Sequence, residues 1–388
     1  MIKRLRVENF RSLKELDLRP GLTNVLVGPN AAGKSNIVDV LKFLTDVASQ
    51  GLGRALTNRQ GYHEVVWKGK DTGPIRIALE AEIHLGPGKL RQAEYEIEVD
   101  GTATGAFWVP RERLAFSGNG PKTDVVDLRM GKGEVCLADR KTAFEAPAAG
   151  ASRSALEYSI PGWEGTFFKQ HLGAWQFHRL DPLTMKQLNP ASRADVLIER
   201  GDNLGAWLAT LKTSHAEHFR RIEQVAQDAV PGLLELVTEL TANQMTFLSS
   251  REEHLARPVP VWGLADGELC FIALASLILA PPELGAPLHC AEEIENHLHP
   301  RLLATLIELL KQEQTRCLES PGAAQVFTTT HSPYLVDQFA LDELVVVDKV
   351  EGQTRCARAS DKAHLRELLE REELGLGELW YSGALGGV

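Results

Sequence analysis

No stretch of this sequence stays apolar long enough to cross a bilayer: Cys270 to Leu279 is the longest run, and a spanning helix needs about twenty residues. Met1-Ile2-Lys3-Arg4-Leu5-Arg6 contains no apolar export segment. Cysteine is sparse, with five residues (Cys136, Cys270, Cys290, Cys317, Cys356) and no C-x-x-C pair. An odd, unpatterned set argues against a disulfide framework and reads as reduced thiols, so a cytoplasmic protein is expected. An excess of positive charge is also lacking. The 42 basic residues face 52 acidic ones, a net charge of −10, which leaves at most a local basic groove for nucleic acid. No heptad is sustained, which excludes a long coiled coil. What remains is an ordinary soluble composition over 388 residues, enough for two or three domains.

The strongest positive signal is Gly28-Pro29-Asn30-Ala31-Ala32-Gly33-Lys34-Ser35. It follows the apolar run Val25-Leu26-Val27 and opens a helical pattern of Ile37, Val38, Val40, Leu41 and Leu44. Strand, glycine-rich turn and helix in the G-x-x-x-x-G-K-[ST] spacing make a phosphate-binding loop. Glycines let successive N–H groups point at an anion, and the helix start adds its own donors and dipole. Lys34 would reach the β- and γ-phosphates of a nucleotide, and the Ser35 hydroxyl would ligate Mg²⁺. Asn30, Gly33 and Asn36 belong to the same nucleotide-binding set.

Around the loop, residues 2–27 alternate apolar and polar, predicting two antiparallel strands that lead into the strand before it. Their turn, Asn9-Phe10-Arg11-Ser12, brings a cation and a hydroxyl towards the loop's base. Arg11 reads either as a nucleotide contact or as a solvated turn residue. A glycine-rich irregular stretch is expected over 51–73. From 75 to 140, short alternating runs broken at Asp100-Gly101 and Gly131-Lys132-Gly133 predict an antiparallel β lobe. Pro147–Ser152 reads as a loop. Residues 174–180 suit a buried strand stopped by Asp181-Pro182. Asn203 to Val230 is helical in period, with Asp202 or Asn203 as N-cap and Pro231 as terminator. Strand-like runs follow near 236–248 and 259–262.

The last third carries a second group of motifs. Leu264-Ala265-Asp266-Gly267-Glu268 opens an apolar helix that Asp266 can cap. Leu288 to Ala291 is an apolar strand ending in the adjacent acids Glu292 and Glu293. At a frayed strand end one acid can face a metal while the next faces water. After Ile294 to Pro300 a helix is expected from Arg301 to Gln312. A buried strand, Ala324 to Thr330, then ends at His331-Ser332-Pro333, where ligands bind in open α/β sheets. His297 and His299 alone are weak as a metal pair.

This ordered set resembles the ABC-type ATPases of the SMC and RecF class, and more narrowly the compact bacterial AAA_21-type predicted ATPases found in genome-defence settings. Gly201-Asp202-Asn203-Leu204, the tail Leu374 to Trp380 and Gly386-Gly387 are shared with that narrower group. The resemblance implies an α/β P-loop NTPase of the ABC-ATPase head type, with a mixed central sheet, an antiparallel β lobe and a small helical lobe. It divides the chain into lobe I (1–180), a helical insertion (181–262) and lobe II (263–388). It implies two heads enclosing two ATP–Mg²⁺, a homodimer. Lys34 and Ser35 would bind phosphate and Mg²⁺, Glu292 would assist the metal, Glu293 would be the catalytic base and His331 the switch histidine. Ala265 and Gly267, in the signature, would act on the partner's nucleotide, and Arg11 and Ser12 would lie near the nucleotide. Asn296 would signal between the heads.

Three departures stand out. Ala265 replaces the signature serine, a lost donor worth roughly 1–3 kcal/mol. Ile294 replaces a proline. The glutamine that joins lobe motion to the metal has only Gln176 and Gln187 as candidates. Two functions therefore remain open. One is a slowly hydrolysing ATPase that drives or gates a DNA-related effector in repair or phage defence. The other is a nucleotide-gated scaffold for a separate nuclease or toxin. Lys3, Arg4, Arg6, Lys14 and Arg19 form a candidate DNA strip, or only a solvated face. The strand pair Leu344–Val347 and Thr354–Ala357 and the short acidic tail leave no room for a nuclease domain of its own.

Overall fold

In the computed structural model, residues 1–84, 90–118, 120–137, 140–145, 150–318, 323–362 and 375–381 are described. They fall into two compact units, Met1–Trp175 with Ala340–Val388, and Gln176–Phe339. In the first unit, β1 (Ile2–Phe10) and β2 (Leu13–Leu18) form the expected hairpin, and β3 (Thr23–Val27) is buried along its whole length. Helix α1 (Lys34–Gln50) buries Ile37, Val38, Val40, Leu41, Phe43 and Leu44, so the predicted helical stripe is its core face. The stretch expected to be irregular holds two short helices, α2 (Leu52–Thr57) and α3 (Tyr62–Val65). Each begins just after a glycine with positive φ, Gly51 at +89° and Gly61 at +100°. The glycines that suggested an irregular stretch instead turn the chain between helices.

Six further strands complete an antiparallel sheet: β4 (Ile75–His84), β5 (Leu90–Gly101), β6 (Phe107–Gly118), β7 (Gly120–Arg129), β8 (Lys132–Leu137) and β9 (Arg140–Glu145). The order is β2-β1-β4-β5-β6-β7-β8-β9, so the β lobe continues the first hairpin. The β7–β8 turn is made by Met130 and Gly131, both at positive φ. Gly133, expected in that turn, lies inside β8, where an added Cβ would sit 2.0 Å from Asp127 O. Helix α4 (Gly165–Gly173) follows.

The second unit begins with β10 (Gln176–His178), α5 (Pro182–Met185) and β11 (Asn189–Pro190). The predicted Asn203–Val230 helix is two, α6 (Leu204–Ser214) and α7 (Ala216–Ala229), broken at His215. Asn203 takes the N-cap position but its side chain faces away from the helix. It accepts from Ile198 N at 2.9 Å and donates to Val196 O at 2.8 Å. The expected helical insertion shares its span with a sheet, β11-β13-β12, built with β12 (Leu233–Leu240) and β13 (Met245–Glu252) and edged by β14 (Val259–Pro260).

Helix α8 (Asp266–Ile278) is buried on nearly all sides, and Trp207 Nε1 donates to Ser276 Oγ at 2.9 Å to tie α6 to it. Next come β15 (Leu288–Glu292), α9 (Pro300–Leu318), β16 (Gln325–Thr330) and α10 (Pro333–Val336). Strands β10, β15 and β16 run parallel in that order. Helix α9 is longer than the expected Arg301–Gln312 at both ends. The chain then returns to the first unit, where β17 (Leu344–Val350) lies parallel to β3 and antiparallel to β18 (Gln353–Arg358). A last helix, α11, spans Leu376–Tyr381. Part of the Pro147–Ser152 loop, Leu374 and Gly386-Gly387 lie outside the described residues. Among the described residues no helix is long and apolar enough to cross a membrane.

Candidate functional site

The phosphate loop joins β3 to α1 in the first unit, and its glycines answer two close approaches. A Cβ on Gly28 would stand 2.1 Å from Val347 O. One on Gly33 would stand 1.9 Å from Thr354 Oγ1, and Gly33 is also at φ +106°. Gly33 is the N-cap of α1, so the helix's first turn opens directly from the loop. Lys34 is buried and donates to Gly28 O at 2.7 Å and Pro29 O at 3.1 Å. Its ammonium thus lies within the curl of the loop, the place from which it would meet phosphate oxygens.

Three of the other expected residues are brought to the same place. Asn36 Nδ2 donates to Ser12 Oγ at 2.5 Å, Ser12 Oγ lies 2.7 Å from Thr354 Oγ1, and Thr354 Oγ1 donates to Ala32 O at 2.7 Å. Arg11, at φ +50°, is partly buried and paired rather than aimed freely outward. Its Nε donates to Asp39 Oδ2 on α1 at 2.5 Å, and Arg59 takes the other oxygen of Asp39 at 2.8 Å. Arg59 also pairs with Asp46 at 2.7 Å and is nearly fully buried. Asp39, Arg59 and Thr354 carry no motif, and nothing in the sequence singles them out.

The second unit holds the acids. Glu292 is the last residue of β15, paired with Thr329 of β16. Glu293 turns out of the strand at φ +51°, and its N–H is held by Thr329 O and Thr329 Oγ1, each at 3.1 Å. The expected alternation of two strand side chains is therefore replaced by a strand residue followed by a left-handed turn. Asn296 Nδ2 donates to Glu293 Oε2 at 2.9 Å. Glu295, which the motif reading passes over, accepts from Thr330 Oγ1 at 2.7 Å and from His331 N at 2.9 Å. It couples the turn after the acids to the backbone of His331.

The start of α8 corrects one expectation. The N-cap is Ala265, which has no side-chain oxygen, and Asp266 is the first helical residue. Glu268 accepts from Ala265 N at 3.2 Å, half of a capping box, while Asp266 pairs with Lys186 at 2.6 Å. A Cβ on Gly267 would come 2.7 Å from His297 O, so glycine lets the turn after the acids touch this helix start.

Beside the acids is a cavity of about 50 Å³ lined by His178, Arg179, Cys270, Glu292, Glu293 and Asn296, among others. Burial drives its wall groups towards their neutral forms. Desolvation, helped by His289, pulls His178 down to about 3, and desolvation pushes the Cys270 thiol up to about 12. Among the described residues no group of three or more His, Cys, Asp or Glu is placed to hold a metal. A cation here would draw most of its ligands from phosphate and water, which is how Mg²⁺ is usually bound. The residues present fit that group.

The candidate DNA strip is interleaved with carboxylates. Lys3 pairs with Glu82 at 2.8 Å, Arg4 with Asp17 at 2.6 Å, and Arg6 with Glu80 at 4.0 Å. That is the pattern of a solvated sheet face.

Two family models match the chain. The one described as "AAA domain, putative AbiEii toxin, Type IV TA system" (AAA_21) matches residues 182–337, and the one described as "AAA ATPase domain" (AAA_15) matches residues 1–81. The chromosome partition protein Smc of Cereibacter sphaeroides is 27% identical over 155 residues, covering 37% of this chain and 12% of that protein. The DNA replication and repair protein RecF of Moorella thermoacetica is 38% identical over 68 residues, covering 17% of this chain and 16% of that protein. The OLD nuclease of Thermus scotoductus is 53% identical over 44 residues, covering 11% and 8%. The chain thus aligns with less than a fifth of each of these relatives. Among solved structures, an Smc head bound to the C-winged helix domain of ScpA superposes with a TM-score of 0.56 at 12% identity, over 92% of this chain and 97% of that one. An Smc head with an extended coiled coil, bound to the C-terminal domain of ScpA derived from Pyrococcus furiosus, gives 0.54 at 11% identity, over 96% and 99%. At such identities the likeness is one of fold.

Proposed function

We propose, from the AAA_21 and AAA_15 matches and the fold shared with the SMC heads, that this chain is an SMC/RecF-like ATPase of the ABC type and that it binds ATP with Mg²⁺ at Gly28–Ser35. It hydrolyses that ATP slowly, with two copies enclosing two nucleotides. The observation that carries the reading is the geometry of the loop, where Lys34 lies on the Gly28 and Pro29 carbonyls and Gly33 starts α1. ATP and Mg²⁺ would be held by Lys34 and Ser35 with Glu292. The metal would neutralise developing phosphate charge, and Glu293 would accept the proton of the attacking water. Hydrolysis would open and close the pair and so drive or gate a DNA-related effector. The relatives named for chromosome partition and DNA repair, the OLD nuclease and the toxin–antitoxin description support that setting.

One observation favours a second reading, a nucleotide-gated scaffold with little turnover. Ala265 holds the N-cap of α8 without a hydroxyl. The two readings part on one experiment. Glu293→Gln should trap an ATP-bound dimer, seen by size-exclusion chromatography with light scattering, and end phosphate release that the wild type sustains. A monomer under saturating ATP would overturn the dimer. A wild type with no release above Lys34→Ala would leave the scaffold standing.

A further inference from the structure

Glu293 is approached on a single oxygen. Asn296 Nδ2 donates to Oε2 at 2.9 Å, and Arg179 Nη2 lies 3.9 Å from that same oxygen. Among the described residues no hydrogen bond or ion pair is made by Oε1. The register of the parallel strands sets this arrangement. His178 on β10 lies opposite Ala291 on β15. Arg179, the first residue past β10, therefore stands level with the acid end of β15 and beside the turn that carries Glu293. Its backbone is anchored, because Arg179 N donates to Glu199 O at 2.8 Å. Its side chain, 67% exposed, lines the mouth of the 50 Å³ cavity next to Glu292 and Asn296. An ion pair this exposed contributes little energy. Its value is direction.

Neither glutamine occupies this place. Gln176 pairs opposite His289 at the far end of β10, and Gln187 follows α5, its N–H bonded to Thr184 O at 3.2 Å. We infer that Arg179 is the positioning residue for Glu293: with Asn296 it fixes Oε2 and leaves Oε1 to face the water. The inference rests on Glu293 being the base. It goes further by naming the residue that aims it and the oxygen that acts.

The test uses the full chain, with steady-state phosphate release beside a fluorescent-ATP titration. Arg179→Ala should lower kcat roughly two- to fivefold, the scale of an exposed charge contact, and leave nucleotide affinity unchanged. Arg179→Lys, which keeps the cation, should restore most of the rate. Arg179→Ala combined with Asn296→Ala should fall short of the product of the single losses, because both act on one oxygen. An unchanged kcat in Arg179→Ala, a matching loss of nucleotide affinity, or multiplicative losses in the double variant would overturn the inference. Wild-type turnover with Arg179→Ala unimpaired removes this inference alone. A wild type without turnover removes the proposed hydrolysis as well.

Discussion

Ser12 Oγ and Thr354 Oγ1 lie 2.7 Å apart, although 342 positions separate them in sequence. The direction of this bond follows from its neighbours. The one hydroxyl proton of Thr354 goes to Ala32 O at 2.7 Å, so Thr354 accepts from Ser12. Ser12 in turn accepts from Asn36 Nδ2 at 2.5 Å. A one-way chain therefore runs from Asn36 through Ser12 and Thr354 to the carbonyl just before Gly33. Thr354 N also donates to Ser12 O at 2.8 Å, which docks β18 on the β1–β2 turn. The curl of the phosphate loop is set partly by residues outside it.

Thr354→Val keeps the shape of the side chain and removes its oxygen. Ala32 O then loses its donor in a buried place, a cost of about 1–3 kcal/mol. Nucleotide affinity should fall roughly tenfold, since about 1.4 kcal/mol is one decade. Ser12→Ala should act in the same direction, and the pair together should be little worse than Thr354→Val alone. A fluorescent-ATP titration of the three variants checks this. Unchanged affinity in Thr354→Val would show that the chain does not shape the loop.

Asp39 holds Arg11 on one oxygen and Arg59 on the other. If Arg11 serves the nucleotide, phosphate must compete with Asp39 for its guanidinium. Asp39→Asn weakens that competitor and leaves Arg59 its pair with Asp46. ATP should bind about three- to tenfold more tightly, close to one decade at most for a partly exposed pair. Isothermal titration of wild type and variant decides the sign. Weaker binding would mean that Asp39 holds Arg11 in its working posture.

The phosphate loop, the strand before it and the helix after it are legible in the sequence because they are local: spacing and periodicity are properties of neighbouring residues. The acids and His331 are legible for the same reason, each closing an apolar strand. Thr354 is not, because its role depends on β18 returning beside the β1–β2 turn. Arg179 and Glu295 escape notice because charge next to a motif is common, and only the register of β10, β15 and β16 brings them beside the turn after the acids. The capping expectation for Asp266 fails for a different reason. Aspartate favours the N-cap, but its pair with Lys186 suits the first helical turn, and Ala265 is left in the cap. The short helices α2 and α3 are hidden because glycine marks turns equally well before a helix and in a loop.

Far from the loop in sequence, Glu112 on β6 is a buried carboxyl that accepts from Tyr95 OH at 2.7 Å, Ser154 Oγ at 2.6 Å and Ala155 N at 2.6 Å. Burial raises it to about 7 from 4.5, and the bonds from Ser154, Ala155 and Tyr95 oppose that rise without cancelling it. The folded state thus holds this proton where the unfolded chain has released it. Between pH 4.5 and 7 the folded form binds more protons, so stability falls as pH rises through that window and levels off above it. The full effect is about 3 kcal/mol at 1.36 kcal/mol per unit. Glu112→Gln removes it without emptying the site. The amide oxygen can still accept from Ala155 N, and the Tyr95 and Ser154 hydroxyls can rotate to accept from its NH₂. Thermal unfolding of both proteins from pH 5 to 8 is the measurement. The wild type should lose several degrees relative to the variant across that range, and two parallel curves would show that Glu112 does not titrate there.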